Sequence, residues 1–325
     1  MVTQQMNDVR TWLLQADPAI RWQVLRDLGD VPADELAEER ARVATTGWGK
    51  RLLELQSEGQ WAGGACFPSR DWRPAAPVVG DPEAQPWTAT LPTLRLLREF
   101  GIDPADPAVR AAVEGVREHS RWEYDGAPFF DGEVEPCING GAVVLGAYFG
   151  ENVDRIVDRL VGEQLDDGGW NCEAENGSTR SSFHSTICVL EGLLEYERAG
   201  GTIPVADARR RGEEYLLARR LLRRASTGEV VDPDWLRFSF PVQWHYDVLR
   251  GLDYFRRLGG APDPRLSEAV DLVRTKQQPD GRWLLENTHP GLAYFEMEDG
   301  DDRPSRWNTL RALRVLRWYD AGLPV

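Results

Sequence analysis

The sequence predicts an all-helical fold in which one ring of helices sits inside another. Three observations carry that reading: a turn motif that recurs, apolar helices of repeating length, and charge-rich helices alternating with them. The turn motif comes first. Gln56-Ser-Glu-Gly-Gln-Trp61, Gln164-Leu-Asp-Asp-Gly-Gly-Trp170 and Gln278-Pro-Asp-Gly-Arg-Trp283 share a Gln, an acidic residue or Pro, a Gly and a Trp. Asp-Gly and Pro-Asp-Gly are turn formers, so each segment stops a helix.

Apolar helices are expected over 87–101, 137–150, 184–200, 243–259 and 307–322, each ending in an aromatic and then a Gly. The closing aromatic lies 12 residues after Cys137, His184, Gln243 and Trp307, and 13 after Trp87. A weaker sixth copy begins at Asp17-Pro18, where Asp caps and Pro opens a helix. Amphipathic helices are expected between them, over 34–55, 107–120, 151–164, 205–223 and 265–277, after a short first helix at 5–15. Six outer and six parallel inner helices describe an all-α (α/α)6 toroid, a single domain over 1–325, with short loop pieces in place of strands.

Composition narrows the function. A net charge of −15 argues against a surface built for nucleic acid or anionic lipid. No stretch reaches the ~20 apolar residues of a membrane helix, and the first residues lack a basic-then-apolar signal layout, so a cytoplasmic location is expected. Cys66, Cys137, Cys172 and Cys188 are too sparse for a disulfide-stapled fold and read as core thiols or ligands. Thirteen Trp, eight Tyr and ten Phe must fill a core or line a cavity.

The Gln…Gly-Trp turns resemble the QW repeats of the squalene cyclase and prenyltransferase superfamily of α/α toroids, over nearly the whole chain. Parallel inner helices gather their N-termini at one mouth, where a deep apolar cavity is expected to open. Glu135-Pro136-Cys137 resembles the Asp-x-Cys of protein prenyltransferase β subunits, whose side chains bind zinc. Arg180-Ser-Ser-Phe-His184-Ser-Thr-Ile-Cys188 resembles the segment that supplies their third ligand, His. The resemblance thus implies Zn2+ on Cys137 and His184, completed by Glu135 or Cys172, with His245 another candidate. Thiolate, imidazole and carboxylate leave a fourth position open, as in catalytic zinc sites.

Trp87, Trp244, Tyr246 and Trp307 are expected to shape the cavity, with Arg180 at its rim; Asp247 and His245 are the candidates for acid–base work. Cys188 reads as cavity wall, Cys66 as an inert thiol near the other mouth or edge, and His119 and His289 as surface residues. The run from Asp125 to Glu135 carries no cation for a diphosphate, leaving Arg180, Arg237 and Arg306 to offer one. Asp299-Gly-Asp301-Asp302 matches the cyclase DxDD acid in letters but reads as a solvated turn, as does the Glu296–Glu298–Asp299 cluster.

The expectation is therefore a zinc enzyme, transferase or cyclase, acting on a hydrophobic, isoprenoid-type small molecule in an aromatic-lined cavity. Its alternatives are a metal-free terpene-cyclase-like enzyme using a rim carboxylate, and a non-catalytic hydrophobic-ligand module; lanthionine-type cyclases share toroid and zinc. Monomer and homo-oligomer are equally compatible with the sequence.

Overall fold

The computed structural model describes residues 2–322, and the described chain is mostly helical. Its helices are α1 (Val2–Leu14), α2 (Pro18–Leu28), α3 (Ala33–Thr45), α4 (Gly47–Glu54), α5 (Thr90–Glu99), α6 (Pro107–His119), α7 (Pro136–Phe149), α8 (Asp154–Gly162), α9 (Phe183–Arg198), α10 (Ala206–Leu217), α11 (Val248–Leu258), α12 (Ser267–Thr275) and α13 (Arg306–Gly322). Two short antiparallel pairings join 79–80 to 292–293 and 283–284 to 304–305.

The inner helices α5, α7, α9, α11, α13 and α2 pack in that order. The ring closes between α2 and α5, where Trp22 Nε1 and Gln23 Nε2 donate to the carbonyls of Phe100 and Glu99, at 2.7 and 2.9 Å. The tightest neighbours are α7 and α9. Gly140 lies so near the Cys188 backbone that a Cβ there would stand 2.5 Å from the Cys188 carbonyl carbon, and Gly192 faces Gly140 from the other side. Larger residues would push these helices apart.

Each Trp turn is a bracket between an outer and an inner helix. Trp61, Trp170 and Trp283 are fully buried, and a buried indole needs a partner for its N–H. Their Nε1 atoms donate to the carbonyls of Leu52, Leu160 and Val273 at 2.7, 2.7 and 2.8 Å. Their backbone N–H groups donate to Oγ1 of Thr90, Thr186 and Thr309 near the starts of α5, α9 and α13, at 3.1, 3.0 and 3.0 Å. Gln56 and Gln164 reach onward to the carbonyls of Ala112 and Ala208 in the next outer helix, at 2.8 and 2.7 Å.

The threonines set the register of the repeat. Counting back from them makes Thr88, His184 and Trp307 equivalent, so the first full copy begins at Thr88, which restores the 12-residue spacing to Phe100. Trp87 stands one position ahead of the helix frame.

Three expected helices differ. The 205–223 helix ends at Leu217, and the chain turns where Arg220 and Leu221 take φ 48° and 66°. The 34–55 helix breaks at Thr46, because the Asp17 carboxylate accepts from Ala19 N–H at α2 and from Trp48 N–H at α4, 2.9 and 2.8 Å, capping two helices at once. Gly47, at φ 69°, makes the turn against that carboxylate. The 243–259 helix begins only at Val248: Gln243 has φ 50°, and Asp247 is the N-cap that accepts from Arg250 N–H at 2.6 Å.

The centre of the ring departs from expectation as well. In place of a deep apolar cavity it holds ion pairs. Arg250 reaches Glu191 at 2.6 Å, and Glu195 is shared by Arg98 and Arg257 at 2.5 and 2.7 Å. Burial alone would raise Glu191, yet the Arg250 and Arg95 guanidiniums hold it down to about 2.

The brackets yield a prediction. Thr186→Val keeps the shape but strands the buried Trp170 N–H, and should lower unfolding free energy by about 1–3 kcal/mol in urea titrations. The exposed Thr45→Val should stay within about 0.5 kcal/mol of the parent protein.

Candidate functional site

A cavity of about 400 Å³ opens at the mouth where the inner helices begin. Leu91, Pro92 and Arg95 of α5, Cys137 and Ile138 of α7, and His184 and Ser185 of α9 line it, with Phe67, Trp87, Gln243 and Trp244 from loops. A second cavity of about 170 Å³ shares Trp87 and Gln243 and extends beneath the 288–300 segment.

The side chains on its wall are placed by the fold. Pro136 opens α7, so Glu135 and Cys137 flank the helix start, and Glu135 N–H is held by the Glu133 carboxylate at 2.7 Å. Cys172 follows the bracketed Trp170 by two residues, in a 3-10 turn whose Asn171 side chain accepts from Glu173 N–H at 3.0 Å. The Ser185 hydroxyl on α9 accepts from Cys172 N–H at 3.2 Å. The sulfurs of Cys137 and Cys172 are 2.9 Å apart, and Glu135 Oε2 lies 3.5 Å from the Cys137 sulfur. The three donor atoms of Glu135, Cys137 and Cys172 lie within 4.8 Å of one another.

The hydrogen bond between the two sulfurs, together with burial, raises the Cys137 thiol far above its ordinary range; the same bond lowers Cys172. The pair therefore holds one proton more readily than two or none.

His184 lines the same cavity but is not among the three gathered donors. Its Nδ1 accepts the Tyr246 N–H at 2.8 Å, and burial followed by the nearby Arg250 charge pulls it down to about 4. A neutral ring that accepts at Nδ1 carries its proton on Nε2, so His184 faces the cavity as a hydrogen-bond donor.

His245 stacks between Trp244 and His289, with ring centroids 3.8 and 3.7 Å away. Burial and the two neighbouring imidazoles push it down to about 3, and its Nδ1 is buried without a partner. His289, expected at the surface, is half-buried in this stack and held down to about 4, by burial first. Three of the four histidines thus meet at one mouth, though they lie 44 to 105 residues apart in sequence. His119 is exposed as expected.

Other expectations divide. Trp87 and Trp244 line the cavity. Trp307 instead stacks on Phe240 and Phe100 in the core, and Tyr246 is buried with its hydroxyl on the Leu221 carbonyl at 2.7 Å. Arg180 is exposed and does not line the cavity. The carboxylate of Asp247, besides capping α11, accepts the Ser239 N–H at 3.1 Å, so its oxygens are occupied by backbone donors. Cys66 lines the cavity, where burial and then Glu123 push its thiol up to about 12. Glu298 is no solvated charge: it accepts from Ser305 Oγ and Trp307 N–H at 2.6 and 3.0 Å, anchoring the start of α13. The cation on the cavity wall is Arg95, which the sequence reading missed; an Arg inside an apolar helix gives no signal until the helix's inward face is known.

No family model matches the chain, and neither does any curated protein. Solved structures with similarity include the type II terpene cyclase MstE from Scytonema in complex with geranylgeranyl dihydroxybenzoate. It is 14% identical, with 99% of this chain and 98% of that one covered at a TM-score of 0.46. A protein from Actinoplanes is 16% identical, covering 93% and 90% at 0.42. The ent-copalyl diphosphate synthase from Streptomyces platensis is 16% identical, covering 91% of this chain and 53% of its own at 0.38.

The histidine stack predicts a pH response. Its folded values near 3 and 4 lie below the ordinary 6.5, so the unfolded chain takes up protons first on acidification. The stabilisation is full above about pH 6.5 and drains as pH falls toward the folded values. Between pH 7.5 and 5 the urea midpoint should drop, and His289→Gln should drop less; equal drops would refute the assignment.

Proposed function

We propose that the chain is a zinc-dependent enzyme of the α/α-toroid type that acts on a small hydrophobic, isoprenoid-like molecule in the cavity between α5, α7 and α9. The observation that carries this reading is the convergence of Glu135, Cys137 and Cys172 on the wall of a cavity whose other sides are largely apolar and aromatic.

The donor set fits zinc. Two sulfurs and one carboxylate oxygen, drawn from a helix start and a neighbouring loop, lie close enough for ligand distances of about 2.0–2.3 Å. They leave a fourth position open, which marks catalytic rather than structural sites. Zinc bound there would supply a Lewis acid and lower the pKa of a bound water or thiol. The Cys137–Cys172 pair gives up its shared proton on metal binding, which makes affinity rise with pH.

The remaining roles belong to the chain itself. His184, fixed by the Tyr246 N–H, presents Nε2–H to a substrate oxygen. Trp87 and Trp244 exclude water and offer π faces to developing positive charge. Arg95, only loosely paired with Glu191 at 3.9 Å, meets an oxygen-bearing end of the substrate from the cavity wall. A cavity of about 400 Å³ lies toward the small end of ligand sites and suits a short isoprenoid better than a triterpene.

Purified protein, kept reduced, should carry about one zinc per chain by elemental analysis, and Cys172→Ser should lose most of it while remaining folded. His184→Ala should retain the metal but weaken quenching of tryptophan fluorescence by farnesol. Absence of zinc from the parent protein after zinc-supplemented expression would end the metal assignment. Full retention in both Cys137→Ser and Cys172→Ser would do the same.

A further inference from the structure

The opposite mouth, where the inner helices end, holds a larger cavity of about 690 Å³. Seven arginines and five carboxylates line it, a formal excess of two positive charges in a chain whose net charge is −15. We propose that this basin is a second binding site, for a small molecule bearing a phosphate or diphosphate group. It is independent of the zinc reading.

Arginine at a helix C-terminus has an ordinary explanation, because cations there complement the helix dipole. Arg26, Arg98, Arg198, Arg256 and Arg257 fall in or near last turns and answer to it. Arg40 and Arg314 do not: Arg40 reaches in from the outer helix α3, and Arg314 sits mid-way along α13.

Pairing accounts for only part of the charge. Asp27 is shared by Arg26 and Arg314, Glu195 by Arg98 and Arg257, Glu99 is held by Arg98 and Asp253 by Arg256. Arg40 donates to the Gly101 carbonyl at 2.9 Å and the Tyr148 hydroxyl at 3.2 Å, and Arg198 to the Arg257 carbonyl, so neither is matched to a carboxylate among the described residues. Arg314 is 8% exposed and its Nε has no partner. The guanidiniums of Arg26 and Arg40 lie over the Trp22 ring, 4.6 and 5.2 Å from its centroid, and that ring is pinned by its own N–H bond to Phe100. The donors are thus held in place before any ligand arrives, which reduces the ordering cost of binding.

The pattern favours a phosphoryl group over a carboxylate. Its three oxygens engage several guanidinium forks at once, and its double negative charge matches the local excess. At two of the arginines the positive charge is crowded: burial, together with neighbouring arginines, pushes Arg314 down to about 10, and burial with Arg98 lowers Arg257. An anion would relieve both.

Calorimetric titration of the full chain with sodium pyrophosphate in 150 mM NaCl is the test. Saturable 1:1 binding is expected. The Arg40→Gln/Arg198→Gln double variant should bind about tenfold more weakly or worse, and Arg198→Gln alone should weaken binding with an unchanged melting temperature in the absence of ligand. Arg95→Gln, at the other mouth, should bind normally. If the double variant fails to fold, Arg198→Gln alone, altering an exposed side chain, carries the same reading. No saturable binding, undiminished binding in the Arg198 variants, or loss in Arg95→Gln would each overturn the proposal; the first would leave these arginines serving helix ends only.

Discussion

Helices packed side by side in one direction cannot cancel their dipoles, and most of what distinguishes the two ends of this molecule follows from that constraint. The inner helices begin together at one mouth and end together at the other. At the first, free N–H groups are capped by Asp17, Ser182, Asp247 and Glu298, and the side chains of the opening residues look inward. At the second, terminal carbonyls draw arginines from within the ring and from outside it. The outer helices run the opposite way and offset this polarity at the rim, so it is concentrated where the inner ring begins and ends.

Holding the helices in that arrangement falls to the three tryptophan brackets. Each satisfies one indole N–H and one backbone N–H in a fully buried setting, and so ties an outer helix to the inner helix that follows. The same brackets position chemistry. Cys172 reaches Cys137 because Trp170, two residues earlier, is fixed at both of its nitrogens. A motif that says little about reactions can still decide where a reactive side chain comes to rest.

The helical ring and its repeat were legible because turn chemistry and apolar periodicity are local signals. Glu135, Cys137 and Cys172 were named through the resemblance of their segments to zinc-binding ones, whereas the matching repeat positions of Cys137 and His184 did not bring those two together. What escaped depended on long-range packing. The Asp17 carboxylate splits an outer helix 30 residues downstream, a link with no sequence signature. His289 read as a surface residue because its partner His245 lies 44 positions away in a loop. Trp307 read as cavity wall because it stands at the start of an inner helix, but Phe240, Phe100 and Trp48 stack against it and turn it into core. Arg95 and Arg250 were invisible as interior charges, because a basic residue in an apolar helix shows its direction only once its neighbours are placed.

The ion pairs of Arg250, Glu191, Glu195 and Arg257 across the ring's axis carry a consequence for traffic. They surround a void of about 50 Å³ that borders Arg95 and Gln243 of the first cavity on one side and Glu99, Asp253 and Arg257 of the basin on the other. A greasy molecule passing from one end to the other would have to cross those paired charges, which an apolar body disfavours.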